Sequence, residues 1–108
     1  MKTVNRILTG VIVDTDAIKE KIEADLSKTP EHGKEIKTVL TSPVRETFEG
    51  VDGKKQQLWI VGKYEEYYLT FDESSRRYGL GYKTIMNEPV LLSEEGSIGE
   101  AYDVLMNG

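Results

Sequence analysis

The sequence predicts an α+β fold in which an antiparallel sheet of about four to six strands, arranged as a meander, packs against an N-terminal and a C-terminal helix. Three observations support this prediction. Segments rich in β-branched and aromatic residues recur through the chain, short polar turns separate them, and amphipathic helical patterns flank them. The 108 residues contain no repeat, low-complexity tract or linker, so we expect a single globular domain spanning residues 1–108.

The N-terminal part of the chain predicts a strand followed by a helix. Asn5 to Val13 is rich in β-branched residues. Asp14 to Lys28 places Ile18, Ile22 and Leu26 on one helical face at a spacing of four. A polar residue at its start can cap this helix, and a Thr-Pro pair ends it because the residue before proline is disfavoured in the α region.

The next segment, Lys34 to Ser42, fits two patterns. Its apolar residues recur at helical spacing, whereas Ile36, Thr38 and Leu40 alternate as they would in a strand. The β-branched content favours the strand slightly. Pro43 is expected either to kink this element or to end it.

The middle of the chain predicts a hairpin. Val44 to Val51 and Lys54 to Val61 flank Asp52-Gly53, a dipeptide that accepts the positive φ angles of a type I′ turn. Leu58 to Val61 is apolar without interruption. We therefore expect both faces of this strand to be covered and the strand to lie centrally in the sheet.

The remaining elements follow from turn signals and from one capping motif. Ser97 to Glu100 has the spacing of a capping box and opens a final helix whose apolar face is Ile98, Ala101, Tyr102 and Leu105. The predicted turns are Gly62 to Tyr64 and Glu73 to Ser75, and the predicted strands are Glu66 to Asp72, Arg76 to Thr84 and a short edge strand from Pro89 to Leu92.

Composition excludes several classes of function. The chain has no cysteine, which removes disulfides, thiol nucleophiles and cysteine-ligated metals. Its net charge of −5 belongs to residues 41–108, which hold 7 basic and 12 acidic side chains, and such a surface repels nucleic acid. No stretch is apolar enough for a membrane span. We expect a cytoplasmic protein that binds neither nucleic acid nor membrane.

Catalytic and metal templates are also missing from the sequence. His32 is the sole histidine, so no multi-histidine site can form, and no serine lies in a nucleophile elbow. Gly79-Leu80-Gly81 lacks the third glycine of a phosphate-binding loop. We therefore assign no catalytic residue, no metal and no cofactor.

Aromatic crowding points to a binding surface. Seven of the nine aromatic residues lie between Trp59 and Tyr82. Alternation places Tyr68 on one face of the sheet, beside a strip of bare backbone at Gly79 and Gly81 that allows another element, a ligand or a partner to approach closely. The residues predicted to bind are Tyr68, Arg77, Lys83, Gly79 and Gly81, with Tyr64, Arg76 and Asp72 at the rim.

These residues favour a non-enzymatic protein-binding module, inhibitor- or regulator-like, because tyrosine and arginine are enriched at interface hot spots. Small size, acidity and an aromatic sheet are common in bacterial inhibitor and immunity-type proteins, an analogy of composition without a shared motif. One alternative is an enzyme or small-ligand carrier in which Tyr68, Arg77 and Glu66 line a pocket between sheet and helix. Another is a structural domain that self-associates; the sequence does not determine the oligomeric state.

Overall fold

The computed structural model describes residues 15–29, 32–50 and 52–107, and within them the predicted α+β fold is confirmed. The predicted strand from Asn5 to Val13 lies outside the described residues. The helices are α1 (Thr15–Leu26), α2 (Gly33–Lys37) and α3 (Ile98–Asn107), and the strands are β1 (Leu40–Glu49), β2 (Lys55–Tyr64), β3 (Tyr67–Asp72), β4 (Arg77–Lys83) and β5 (Pro89–Glu95).

The five described strands form a meander that closes on itself. Each strand pairs antiparallel with the next, and Glu49 at the end of β1 pairs in parallel with Val90 near the start of β5, which closes the sheet into a barrel. β5 continues past the predicted end at Leu92, to Glu95. Because of the pair at Val90, its first residues do not form the free edge that the sequence predicted.

Alternation along the strands separates two hydrophobic cores, one between the sheet and the helices and one inside the barrel. Trp59 and Val61 belong to the first core and Leu58 and Ile60 to the second, so β2 is covered on both faces as predicted. The helix-side core also contains Ile18, Ile22, Leu26, Ile36, Val39, Leu69, Phe71, Tyr78, Leu80, Ile98, Ala101, Tyr102 and Leu105, whereas the barrel core contains Phe48 and Leu91 with Tyr68 packed against them.

The two longer helices have the predicted positions and buried faces. Ile18, Ile22 and Leu26 of α1 are buried, as the spacing of four requires. At the start of α3 the hydroxyl of Ser97 accepts the backbone N–H of Glu100 at 3.1 Å, which is one of the two bonds of the predicted capping box. None of the helices within the described residues has the length and apolar character needed to cross a membrane.

The predicted preference for a strand over Lys34 to Ser42 is wrong for its first half, which is the short helix α2. Ile36 is fully buried and Val39 nearly so, and both belong to the helix-side core. Two residues three positions apart reach one core through a helical turn, whereas a strand would point them to opposite faces. β1 begins at Leu40 and runs through Pro43, where a shift in register accounts for the predicted kink.

Two turns differ from the predicted ones. The β1–β2 hairpin is confirmed, but of Asp52 and Gly53 only Gly53 has a positive φ (83°), whereas a type I′ turn needs two such residues. Gly62 to Tyr64 is part of β2, and the chain turns instead at Glu65, whose φ is 55°. β2 continues to pair with β3 through Tyr64, after its register shifts by one residue between Ile60 and Gly62.

A partly buried set of hydrogen bonds connects α1 to the sheet. The hydroxyl of Tyr78 donates to the carboxylate of Asp25 at 2.6 Å, and the ammonium of Lys21 donates to the other carboxylate oxygen at 3.1 Å. Burial, with the hydrogen bond and the charge of Asp25 adding to it, raises the pKa of Tyr78 far above its ordinary value of 10.0. Tyr78 is therefore a neutral donor at physiological pH, and it holds the end of α1 against β4.

Replacing Tyr78 with Phe should lower the free energy of unfolding by about 1 to 2 kcal/mol, because Asp25 would lose a hydrogen-bond donor in a partly buried site. Tyr67→Phe is the matched control, since the hydroxyl of Tyr67 makes no hydrogen bond within the described residues. Urea denaturation of the three proteins measures the difference. Equal stabilities of the Tyr78 and Tyr67 variants would contradict a stabilising role for this bond.

Candidate functional site

The backbone strip at Gly79 and Gly81 is buried inside the barrel. A Cβ atom added at Gly81 would lie 2.6 Å from Cε2 of Phe48, and one added at Gly79 would lie 2.5 Å from the carbonyl oxygen of Ser93. Neither distance is compatible with a side chain. Within the described residues, the elements that the two glycines admit are therefore the chain's own β1 and β5 strands.

Closure of the barrel brings together charged residues from strands that are not neighbours in the sheet. Lys83 of β4 and Glu46 of β1 form an ion pair, with 3.1 Å between Nζ and Oε1. Both side chains are about one quarter exposed, with values of 25% and 27%. The pair spans the mouth of the barrel just beyond Phe48 and Gly81.

Tyr68 lies between two lysines at this mouth. The ammonium nitrogen of Lys63, on β2, is 5.8 Å from the centroid of the Tyr68 ring, and that of Lys83, on β4, is 5.7 Å away. Both distances are within the range of a cation–π interaction. We call Lys63, Tyr68, Lys83 and Glu46 the Lys-Tyr cluster.

The charges of the Lys-Tyr cluster are not balanced. Glu46 pairs with Lys83, whereas Lys63 forms no ion pair within the described residues. Tyr68 is half-buried against the barrel core, which fixes its ring and leaves part of it accessible. The cluster therefore presents one uncompensated ammonium group beside a fixed aromatic ring, an arrangement that can accept a carboxylate or another anion.

The loop that follows Lys83 exposes two large apolar side chains. Ile85 is fully exposed and Met86 is 77% exposed. The loop is nevertheless held by hydrogen bonds: the carbonyl of Thr84 accepts the N–H of Asn87 at 2.7 Å, and its hydroxyl accepts the N–H of Glu88 at 3.2 Å. We call Ile85 and Met86 the hairpin tip. Its geometry presents them to solvent in a defined position.

The structure brings together only some of the residues predicted to bind. Tyr68 and Lys83 are close, but Arg77 pairs in register with Asp72, four residues along β3 from Tyr68 and therefore about 13 Å away. Asp72 stabilises the β3–β4 turn, since its carbonyl accepts the N–H of Arg76 at 2.7 Å. Arg77, Arg76 and Asp72 thus lie at the opposite end of the hairpin from the Lys-Tyr cluster.

Two further predicted features lie away from the cluster. Tyr64 is packed against the helix-side core, on the other face of the sheet from Tyr68. Glu66 lies in the β2–β3 turn, near Tyr68 at the start of β3, whereas Arg77 lies at the other end of that strand. The pocket expected from these residues would therefore need side chains from both ends of β3. These three side chains do not converge.

Trp59, the first residue of the aromatic region, makes contacts within the fold that give it a structural role. Its indole N–H donates to the carboxylate of Glu73 at 3.1 Å, and the guanidinium of Arg45 lies 5.4 Å above its ring. Arg45 also pairs with Glu73 at 3.2 Å. Trp59 is 4% exposed, so its role is to hold β2 against β1 and the β3–β4 turn.

Sequence reasoning missed Lys63, Glu46 and the hairpin tip. Gly62 inside a strand pattern was a signal for Lys63, because such a glycine often marks the bulge that re-aims the next side chain. For the hairpin tip the signal was an apolar pair, Ile85-Met86, placed directly before the turn sequence Asn-Glu-Pro. Nothing local indicated Glu46, which reaches the site only through barrel closure.

Replacing Gly81 with Ala should destabilise the protein by about 1 to 3 kcal/mol, because the new methyl group would overlap the ring of Phe48. Combining it with Phe48→Leu should recover part of that loss. Gly96→Ala is the control, since its Cβ would meet only the flexible carboxylate of Glu100, at 3.1 Å. Chemical denaturation measures all three, and a Gly81→Ala protein as stable as Gly96→Ala would disprove the close packing at Phe48.

The sequence matches no protein-family model, and neither a curated protein nor a solved structure is significantly similar to this chain. Any assignment of function therefore rests on the chemistry of the side chains themselves.

Proposed function

We propose that the chain is a cytoplasmic, non-enzymatic protein-binding module, inhibitor- or regulator-like, that recognises an acidic region of a partner protein through the Lys-Tyr cluster. The observation that supports this proposal is the pair of lysines flanking Tyr68, of which only Lys83 has a carboxylate partner in the described part of the chain. A local excess of positive charge in a chain of net charge −5 favours a complementary acidic group.

The cluster is organised before it binds. Interaction with the ring of Tyr68 restricts the ammonium of Lys63, and the ion pair with Glu46 restricts Lys83. Ordering a lysine side chain on association costs roughly 0.5 to 1.5 kcal/mol, so prior restriction removes part of that cost. A partner carboxylate would complete the cluster by pairing with Lys63.

The hairpin tip supplies the apolar part of the proposed interface. Ile85 follows Lys83 by two residues, roughly 7 Å of chain, so a partner that contacts the Lys-Tyr cluster can also cover the tip. Burying an Ile or a Met side chain is worth about 1.5 to 3 kcal/mol. The tip would contribute affinity, while the lysines would select an acidic surface.

The other residues predicted for binding have supporting roles in this proposal. Gly79 and Gly81 admit Phe48 and Leu91, and so allow β1 to bring Glu46 to Lys83. Arg77, Arg76, Asp72 and Tyr64 lie away from the contact. The proposed interface is therefore smaller than the predicted one and is centred on the mouth of the barrel.

Replacing Lys63 and Tyr68 together with Ala should weaken partner binding by about tenfold to a thousandfold, equivalent to roughly 1.5 to 4 kcal/mol. The partner is first captured from an extract of the source organism and identified by mass spectrometry. Calorimetry with the purified partner then measures the affinity of each variant.

The matched control is Lys54→Ala with Tyr67→Ala, which removes the same side-chain types from an exposed turn and from the opposite face of β3. Binding that is weakened equally by both pairs would argue against the Lys-Tyr cluster. Sedimentation over a range of concentrations tests the alternative of self-association. If the protein is a dimer that the Lys63→Ala and Tyr68→Ala substitutions dissociate, and no partner is captured, self-association replaces the proposed function.

The affinity for the partner should depend more steeply on salt in the wild-type protein than in a Lys63→Ala variant. Added ions screen the attraction between an ammonium group and a partner carboxylate. Apart from Lys63, the charges of the two proteins are the same. Measuring the dissociation constant from about 50 to 500 mM salt compares the two slopes. Parallel slopes would show that Lys63 makes no ionic contact.

A further inference from the structure

A cavity lies at the other end of β4 from the Lys-Tyr cluster, between the end of α1, the β3–β4 turn and the start of α3. We propose that this cavity binds a small phosphate monoester. Its volume is about 370 Å³, and the basic residues Lys21, Lys28 and Arg76 line it together with Tyr78 and Ser97. No residue of the Lys-Tyr cluster contributes to it, so this proposal is independent of the proposed function.

The charges around the cavity leave two cations without a partner. Among the described residues that line the cavity, Asp25 is the one carboxylate, and it already accepts hydrogen bonds from Lys21 at 3.1 Å and Tyr78 at 2.6 Å. Neither Lys28 nor Arg76 forms an ion pair in the part of the chain that the structure describes. The cavity therefore has a surplus of positive charge in a protein whose net charge is negative.

Arg76 occupies a position that local backbone preference does not explain. Its φ of 63° is in the left-handed region, which is unfavourable for a residue with a Cβ atom and which glycine or asparagine adopts more readily. Its N–H donates to the carbonyl of Asp72 at 2.7 Å, so the turn is well formed. An arginine therefore lines the cavity in a conformation that lowers the stability of the turn.

The chemistry of the cavity fits a phosphate ester better than a simple monovalent ion. The planar guanidinium of Arg76 can donate two parallel hydrogen bonds to phosphate oxygens, and the ammonium of Lys28 can neutralise the second charge. The hydroxyl of Ser97 accepts the N–H of Glu100 and can still donate its own hydrogen. A volume of about 370 Å³ leaves room for the organic part of a small ester.

One carboxylate limits the affinity. The side chain of Glu100 lies at the rim of the cavity, near the lining residue Gly96. A Cβ atom added at Gly96 would be 3.1 Å from Oε1 of Glu100. This negative charge opposes a bound phosphate. Replacing Glu100 with Gln keeps a side chain of the same shape and removes the charge, so it should strengthen phosphate binding.

The test is titration of the full chain with inorganic phosphate and with phenyl phosphate at constant ionic strength, followed by calorimetry and by amide NMR shifts. Phenol serves as the uncharged control ligand. The wild-type protein should bind phenyl phosphate with the largest shifts at the amides of Thr29, Arg76 and Ile98, which line the cavity. Lys28→Gln with Arg76→Asn should weaken binding about tenfold or more. Asparagine is chosen at Arg76 because it tolerates the left-handed conformation.

The control is Lys54→Gln with Arg77→Gln, which removes the same charge from positions that do not line the cavity. Equal weakening by both pairs, or no binding of either phosphate by the wild-type protein, would overturn the proposal. Binding of a polyglutamate peptide in place of phenyl phosphate would assign the cavity to protein contacts and would also overturn it. Tighter binding by Glu100→Gln than by wild type is the expected gain-of-function result.

Discussion

The fit of the Phe48 ring against the bare backbone of β4 is the constraint on which the barrel depends. A methyl group at Gly81 would be 2.6 Å from this ring, so the ring can enter only because the residue is glycine. Phe48 is fully buried, and the next residue, Glu49, makes the parallel pair with Val90. Because that pair joins β1 to β5, the packing of Phe48 supports the closure of the sheet.

Closure and one shift in register together create the Lys-Tyr cluster. Closure brings Glu46 within 3.1 Å of Lys83, although β1 and β4 are not neighbours in the sheet. The shift between Ile60 and Gly62 reverses the facing of the residues that follow, since side chains alternate with a period of two. It places Lys63 directly opposite Tyr68 on β3. Neither the ion pair nor the second lysine would be present in a flat, regular sheet.

Local patterns in the sequence predicted part of this fold, whereas non-local contacts determine the rest. The buried faces of α1 and α3 were predicted correctly because periodicity and capping are local patterns. The coverage of β2 on both faces was predicted correctly because an uninterrupted apolar stretch is enough to indicate it. α2 was missed because five residues are too few for periodicity to separate helix from strand. Alternation placed Tyr68 and Lys83 correctly, whereas Glu46 and Lys63 depend on a non-local closure and on a bulge.

Net charge and local charge have different consequences for what this protein can bind. A net charge of −5 repels a long polyanion such as nucleic acid, which meets the field of the whole surface. A single carboxylate or phosphate group in contact with one site is governed by the charges nearest to it, because ions screen the rest beyond roughly 8 to 10 Å. The two cationic sites lie at opposite ends of β4, seven residues long and thus about 23 Å. Each would therefore act on its own anionic group.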